Sequence, residues 1–431
     1  MSKVNIVTMG CSKNLVDSEK LAAQLVANGY EVVFDAECRD AEIAFVNTCG
    51  FINDAKEESI NAILKLAGDK GSTKLKKIVV FGCLSARYYD DLKAELPEVD
   101  FMCGNYKIDE LLAFLGKKPY EDKANSRVSS SAGHYAYLKI SEGCVRNCAF
   151  CAIPLFKGKY VSRSMDDIIA EAENLAKSGV KELILIAQDL CYYGYDVEHR
   201  FMLPELVERL SEIVGIEWIR LHYLYPFLFP ERLLDVIRDD PKVCKYIDIP
   251  LQHISDKVLA GMHRGGDKKQ TIALLDKIRK TIPNAVIRTT MLVGFPNEGD
   301  AEFEELLEFV KEQKFDRLGV FTYSEEDGTA AASEFSDVVS QDVKDERAER
   351  IMEIQQEISL QSNMAKVGKT FRVLIDYIED DMFVGRTEFD SVEVDNEVLF
   401  PYSDKYKVGD FVDVKIDDAS EYELYGTVIK R

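Results

Sequence analysis

Apolar residues recur along the first 120 residues in two alternating patterns. Short apolar runs that suit strands lie at residues 4–9, 30–34, 43–46, 77–81 and near Phe101. The stretches between them, such as 14–28 and 54–67, carry apolar residues at helical spacing. Strands that alternate with helices form a parallel sheet covered by helices on both faces. The pattern therefore predicts a small doubly wound α/β domain over residues 1–122.

The middle of the chain repeats this alternation after a polar stretch rich in serine, which predicts a linker at 123–134. Six strand-like runs follow at 137–140, 183–187, 218–223, 246–249, 286–293 and 318–322, and helical patterns separate them at 166–177, 204–213, 270–280 and 302–311. Six β/α units in series predict an open, partial barrel, a (β/α)6 domain over residues 135–341.

The last ninety residues follow a third pattern. Residues 342–365 form one charged helical stretch, and residues 366–431 alternate in short strands with turn residues predicted at Gly368, Gly385, Gly409 and Gly426. The chain is therefore expected to be a multidomain α/β protein that ends in a connecting helix and a small all-β barrel.

Charge and composition narrow the class of partner. The chain has 54 Lys and Arg against 76 Asp and Glu, a net charge of −22, which opposes partners bound mainly through phosphates. No run of eighteen apolar residues and no signal-peptide pattern occurs, so we expect a cytoplasmic protein that binds no membrane. In a reducing compartment the ten cysteines stay free for metals or catalysis.

Three of these cysteines form a C-x3-C-x2-C motif directly after the first barrel strand: Cys144, Cys148 and Cys151, here called the loop thiols. Three thiolates can hold three irons of a 4Fe-4S cluster and leave the fourth iron open to another ligand. The alternative, structural zinc, needs a fourth ligand, and none stands at zinc-finger spacing. The histidines show no metal-binding motif; His253 and His263 are read as ordinary loop residues or as residues that line the barrel mouth.

The motif resembles the signature of the radical S-adenosylmethionine (SAM) superfamily, C-x3-C-x-aromatic-C, with Phe150 at the aromatic position. The resemblance implies that the open iron binds SAM and that catalysis uses the radical formed from it. Gln188 and Arg288 are weaker candidates for cofactor contacts. The alternative for Gln188 is a capping amide, and the alternative for Arg288 is a surface charge. The stretches 152–154, 250–253 and 293–296 resemble the methylthiotransferases, a family of radical SAM enzymes, and are expected at the mouth.

A second set of cysteines follows strands of the first domain: Cys11, Cys49 and Cys83, here called the edge thiols. From spacing alone they could be unrelated buried thiols or could converge at the carboxyl edge of the sheet. Their surroundings resemble the N-terminal domain of the methylthiotransferases, which implies a second 4Fe-4S cluster there and a C-terminal barrel of the TRAM type. The other cysteines considered, Cys38, Cys103, Cys191 and Cys244, are read as structural.

Methylthiotransferases modify either an adenosine in tRNA or an aspartate on a ribosomal protein. Residues 366–431 hold 9 Lys and Arg against 16 Asp and Glu, which disfavours RNA and favours a basic small-subunit ribosomal protein. The resemblance then implies methylthiolation of an aspartate carbon, with SAM as radical source and methyl donor and a flavodoxin- or ferredoxin-like electron donor. The alternatives are tRNA modification and a non-catalytic iron-sulfur redox sensor.

Overall fold

The computed structural model describes residues 1–34, 40–130 and 132–429. The chain divides into two compact units. The first, here the N-terminal unit, comprises Met1–Ser131, Tyr137–Arg146 and Ala152–Ser178; the second, the C-terminal unit, comprises Ala132–Ala136, Asn147–Cys151 and Gly179–Arg431. None of the helices in the described part of the chain is long and apolar enough to cross a membrane.

The N-terminal unit is built on a five-stranded parallel sheet in the order β2-β1-β3-β4-β5. Apolar clusters pack on both faces, so the predicted doubly wound domain is confirmed. Its elements are β1 (Lys3–Thr8), α1 (Ser12–Ala27), β2 (Glu31–Phe34), β3 (Ile43–Thr48), α2 (Asn53–Asp69), β4 (Lys77–Gly82), α3 (Cys83–Arg87), α4 (Tyr89–Glu95), β5 (Phe101–Met102) and α5 (Ile108–Phe114).

Residues 127–130 of the predicted linker lie against helix α1. Arg127 and Ser130 both donate hydrogen bonds to the Glu19 carboxylate, at 2.9 Å from Arg127 Nε and 2.8 Å from the Ser130 backbone nitrogen. Arg127 also lies 3.4 Å from Glu171, whose carboxylate is fully buried. Part of the predicted linker therefore contributes to a buried ionic cluster, and its place as a domain boundary stays a prediction.

The remaining elements of this region are β6 (Tyr135–Lys139), β7 (Ser141–Glu142), α6 (Ile153–Lys157), β8 (Val161–Ser162) and α7 (Met165–Lys177). Strand β6 begins in the C-terminal unit and ends in the N-terminal unit. Strands β7 and β8 pair antiparallel, on either side of the loop thiols in the sequence. Ser164 caps helix α7 by accepting from the backbone nitrogen of Asp167, which fixes where that helix starts.

The C-terminal unit continues the β/α series with β9 (Glu182–Ile186), α8 (Tyr195–Glu198), α9 (Leu203–Ser211), β10 (Trp218–Leu221), α10 (Arg232–Asp239), β11 (Tyr246–Asp248), α11 (Asp256–Gly261), α12 (Lys268–Thr281), β12 (Val286–Val293), α13 (Asp300–Gln313), β13 (Arg317–Thr322), α14 (Ala330–Glu334) and α15 (Gln341–Met364). Strands β9 and β10 pair in parallel, as do β11, β12 and β13. An isolated parallel bridge pairs Ile219 of β10 with Val243, which precedes β11. All six predicted strands of the partial barrel are present.

The chain ends in a closed barrel of β14 (Thr370–Glu379), β15 (Met382–Thr387), β16 (Glu397–Pro401), β17 (Phe411–Ala419) and β18 (Glu423–Val428), in the order β14-β15-β16-β18-β17. The sequence prediction was wrong about two glycines. Gly385 and Gly426 lie within strands beside bulges, where a Cβ atom would come within 2.3 Å of Leu374 O and 2.4 Å of Lys415 O. They allow close strand approach instead of turns.

A loop of this barrel, residues 388–396, reaches in among the strands β10 to β13. Arg220 donates to the backbone oxygen of Glu388 at 2.8 Å, and Tyr246 Oη donates to Asp395 at 2.6 Å. Arg317 pairs with the fully buried Asp390. Deep polar contacts of this kind fix the loop in one position, because each buried group needs its partner.

Beside the loop, a chain of buried charges ties the barrel to β9. Arg386 of β15 pairs with Glu182 and with Asp376, the latter at 2.8 Å, and Asp376 lies 2.7 Å from His134 Nε2. Glu182 is fully buried and also accepts from Arg220 Nε at 2.8 Å. The C-terminal barrel is therefore a fixed part of this unit.

Candidate active site

The edge thiols lie at the carboxyl ends of three neighbouring strands. Cys11 comes after β1, Cys49 after β3 and Cys83 after β4. A Cβ atom added to Gly10 would stand 2.7 Å from Cys49 Sγ, so the Cys11 loop passes directly over that thiol. The sheet topology thus brings together three thiols separated by 38 and 34 residues in the sequence.

Asn14, which the sequence reading missed, organises this edge. Its side-chain nitrogen donates to the backbone oxygens of Met9 at 2.9 Å and Thr48 at 3.1 Å. Its side-chain oxygen lies 3.7 Å from Cys83 Sγ, within hydrogen-bond range for sulfur. One buried amide therefore joins the loops that carry all three edge thiols. The sequence signal that could have identified Asn14 is its position three residues after Cys11, in the first turn of helix α1.

Burial governs the protonation of the buried edge thiols. Burial raises the pKa of Cys83 to about 12; nearby Lys157 opposes this, and the other edge thiols add to it. Burial also raises the pKa of Cys49. Both are therefore protonated thiols at neutral pH in the metal-free protein, and binding iron as thiolates has to release their protons.

Lys157 is the buried cation next to Cys83. Its side chain is 4% exposed and its Nζ lies 3.3 Å from Glu142. Burial would lower the pKa of Lys157, but Glu142 and then Cys83 raise it above its usual value. A cation that remains charged at this place favours negative charge on the neighbouring sulfur.

The loop that carries the loop thiols contributes to both units. In the N-terminal unit the backbone nitrogen of Cys144 donates to Gly158 at 3.2 Å. The backbone nitrogen of Arg146 lies 3.4 Å from Cys144 Sγ. These bonds set the Cys144 side of the loop against the turn that follows helix α6.

In the C-terminal unit the same loop is bonded on both sides. Ala149 donates to Met262 at 2.9 Å and accepts from Ala331 at 2.8 Å, and Cys151 donates to Cys148 at 3.0 Å. Phe150 packs against a buried cluster that includes Phe295 and Tyr323. Phe150 thus anchors the loop in the core of the unit.

Both thiol sets match the donors of an iron-sulfur cluster. Within residues 1–34, 40–130 and 132–429, no three or more His, Cys, Asp or Glu side chains are grouped so as to hold a single metal ion. A 4Fe-4S cluster makes a different demand, because each thiolate binds its own iron. The edge thiols fit that demand as three sulfurs on neighbouring loops of one sheet edge.

The two weaker candidates lie in different surroundings. Gln188 is half-buried in the loop after β9. Arg288 sits near the start of β12, where it binds Asp248 at 3.0 Å and lies 3.5 Å from Asp395 of the inserted loop. Burial alone would lower the pKa of Arg288, but Asp248 and other neighbours raise it. The cofactor role of both residues stays a prediction.

The histidines also take different positions. His253 is fully buried, and its Nδ1 accepts from the backbone nitrogen of Ser255 at 3.0 Å. Its Nε2 faces Glu298 at 3.2 Å. Arg347 of α15 binds the same carboxylate at 2.8 Å, so the connecting helix is tied to the loop that follows β12. His263 is half-exposed beside Glu334.

The cysteines read as structural are buried where the structure describes them. Cys103, Cys191 and Cys244 are at most 2% exposed, and burial raises the pKa of Cys103 and of Cys244 to about 12. Cys38 lies outside the described residues.

Three family models match successive parts of the chain: the uncharacterized protein family UPF0004 at residues 3–104, the radical SAM superfamily at 138–310 and the TRAM domain at 367–429. Curated relatives cover nearly the whole chain. Ribosomal protein uS12 methylthiotransferase RimO of Phocaeicola vulgatus is 51% identical over 99% of both chains. The protein of that name from Flavobacterium johnsoniae is also 51% identical, over 99% of this chain and 98% of its own.

The chain belongs to the RimO family of methylthiotransferases. Membership confirms the resemblance drawn from the cysteine motifs, and it makes the chain a radical SAM enzyme. The superfamily implies one 4Fe-4S cluster and SAM as cofactors. The TRAM match confirms the predicted type of the C-terminal barrel.

Solved structures agree on the fold. The radical SAM methyltransferase TsrM of Kitasatospora setae superposes with a TM-score of 0.54 at 14% identity, over 75% of each chain. The cobalamin-dependent SAM radical enzyme OxsB superposes with a TM-score of 0.52 at 12% identity, and the match covers 82% of the present chain and 56% of the OxsB chain. At these identities the likeness shows the fold alone.

Proposed function

We propose that the chain methylthiolates an aspartate side-chain carbon on ribosomal protein uS12. The observation that carries the proposal is the full-length identity of about one half to enzymes named for that substrate. All six predicted cluster cysteines stand in the matched regions, which supports retained chemistry. A ribosomal substrate also implies a cytoplasmic enzyme.

The loop thiols are assigned to the radical-generating cluster. Cys144, Cys148 and Cys151 would hold three irons, with Phe150 anchoring the loop through its packing. When bound, the cluster and SAM supply the radical that removes hydrogen from an unactivated carbon, and SAM also supplies the methyl group. The protein's own part is to hold the loop rigid and to keep the bound groups in position.

The edge thiols are assigned to a second 4Fe-4S cluster that carries the transferred sulfur. The convergence of their loops, with Asn14 bonded to each, supports this assignment. Lys157 and the depth of Cys83 would shield that sulfur from water. An external donor of flavodoxin or ferredoxin type would deliver the electron.

The surface of the C-terminal barrel supports a basic protein as the substrate. The side chains of Asp376, Asp390 and Asp395 are buried and paired inside the unit, so they do not attract a partner. Exposed acids remain near exposed tyrosine rings, a combination that binds Lys and Arg side chains through charge and cation-π contacts. These residues are Glu379, Asp380, Asp381, Asp404, Asp417 and Asp418, with Tyr377, Tyr402, Tyr422 and Tyr425.

Charge reversal tests the docking surface. Asp417 and Asp418 are exposed at the end of β17, and changing both to Lys should weaken uS12 binding and make it less sensitive to salt. The matched control reverses Asp90 and Asp91, an exposed pair on α4. Binding is measured by surface plasmon resonance at several salt concentrations. Equal uS12 affinity for the parent and the D417K/D418K variant, or tight tRNA binding by the parent, would reject this surface.

SAM cleavage tests the radical chemistry that is assigned to the loop thiols. The reduced, anaerobically reconstituted protein should release 5′-deoxyadenosine from SAM. A cluster-loaded protein that leaves SAM intact would contradict this assignment.

A further inference from the structure

Arg264 is a buried cation that touches a loop thiol. The residue is 4% exposed, and its Nη1 lies 3.3 Å from Cys148 Sγ. Its Nη2 donates to the backbone oxygen of Pro250 at 2.5 Å. All three residues belong to the C-terminal unit. The contact links residues 116 positions apart, so no local sequence motif predicts it.

The position of Arg264 is fixed from several directions. It follows helix α11 through His263, whose φ of 54° turns the chain back, and its backbone nitrogen donates to Leu259 at 3.0 Å. Tyr225 Oη donates to the Arg264 carbonyl at 2.5 Å, and the guanidinium lies 4.6 Å from the centre of the Tyr225 ring. The same turn bonds the cysteine loop through Ala149 and Met262. Arg264 and Cys148 are thus held in one rigid arrangement.

The guanidinium lacks a carboxylate partner within the described residues. No Asp or Glu of those residues forms an ion pair with it, and its Nε, although buried, has no hydrogen-bond acceptor among them. A buried cation is costly unless negative charge stands close by. The nearest group able to supply such charge is the sulfur of Cys148, as a thiolate bound to iron.

We propose that Arg264 is a positioning residue that tunes the reduction potential of the cluster on the loop thiols, an inference that rests on the proposed function. Reduction adds one negative charge to the cluster. A cation and hydrogen-bond donor on a ligand sulfur stabilises the reduced state more than the oxidised state. Arg264 therefore raises the potential and makes the electron easier to deliver.

The test measures the midpoint potential by EPR-monitored redox titration. The parent is the full chain with the edge thiols changed to Ala, so that only one cluster contributes to the signal. R264M should shift the reduction equilibrium about tenfold toward the oxidised state, about 59 mV more negative for one electron. R264K, which keeps a charge without the planar donor pair, should fall between R264M and the parent.

The control is R279M. Arg279 on α12 also donates to a backbone carbonyl, that of Gln313, and contacts no predicted site residue. Its loss should leave the potential unchanged. Iron per chain is measured in every variant. If R264M does not hold iron, the midpoint potential of R264K is compared with that of the parent instead. A potential equal to the parent's in the deciding variant would overturn the role of Arg264 alone. A parent without an EPR-active cluster would overturn both this role and the proposed function.

Discussion

The buried charge chain at the base of the C-terminal barrel predicts a large loss of stability from one isosteric change. Glu182 binds Arg220 and Arg386 with no exposed surface, so E182Q leaves its volume unchanged but removes the negative charge between two buried guanidinium groups. Breaking a buried pair in this way costs about 3–5 kcal/mol. For a unit of this size, that lowers the Tm by roughly 6–20 °C.

The single tryptophan of the chain provides the assay. Trp218 lies on β10 and packs edge-on against Phe411 of the barrel, with ring centroids 4.8 Å apart, so its fluorescence reports on this junction. The control is E217Q, which breaks the exposed pair between Glu217 and Arg372 that connects the same two regions. It should cost no more than about 1 kcal/mol. Equal unfolding midpoints for E182Q and E217Q would refute the reasoning.

Three further predictions concern the clusters and acid stability. Changing the loop thiols to Ala should remove about half of the iron and abolish SAM cleavage, measured by iron assay and chromatography; loss of all iron or none would refute independent clusters. Changing the edge thiols to Ala should leave SAM cleavage intact but stop product formation, so a methylthiolated product from that variant would remove their assigned role. Burial alone would raise the pKa of Glu182, but Arg386 and Arg220 hold it below its usual 4.5. The stability that these ion pairs contribute is therefore complete above pH 4.5, and it is lost as the pH falls through the lower pKa that Glu182 has in the folded protein. Urea unfolding between pH 3 and 7 should therefore show a smaller acid-induced loss in E182Q than in the parent, and equal losses would contradict this.

The domain types could be predicted from the sequence because their signals are local. Strand and helix periods depend on near neighbours, and the C-x3-C-x2-C spacing lies within eight residues. The edge thiols could be placed at strand ends for the same reason. Their meeting at one edge required the strand order, which periodicity does not contain.

The contacts between distant residues could not be predicted. Arg264 and Cys148, or Arg127 and Glu19, pair across more than a hundred positions. A polar segment looks the same in the sequence whether it is a solvated linker or part of a buried ionic cluster. The prediction for Gly385 and Gly426 was wrong because glycine occurs both in turns and where two strands pack closely. Only the position of the neighbouring strand distinguishes the two cases. The predicted domain boundaries stay predictions.

The most direct test of the proposed function is the intact mass of ribosomal protein uS12 after reaction with the reconstituted enzyme, SAM and a reductant. We expect a gain of one sulfur and one methyl group, located by fragmentation on an aspartate side chain and absent when the edge thiols are changed to Ala. An unchanged uS12 mass, together with methylthio-adenosine in tRNA treated in the same way, would contradict it.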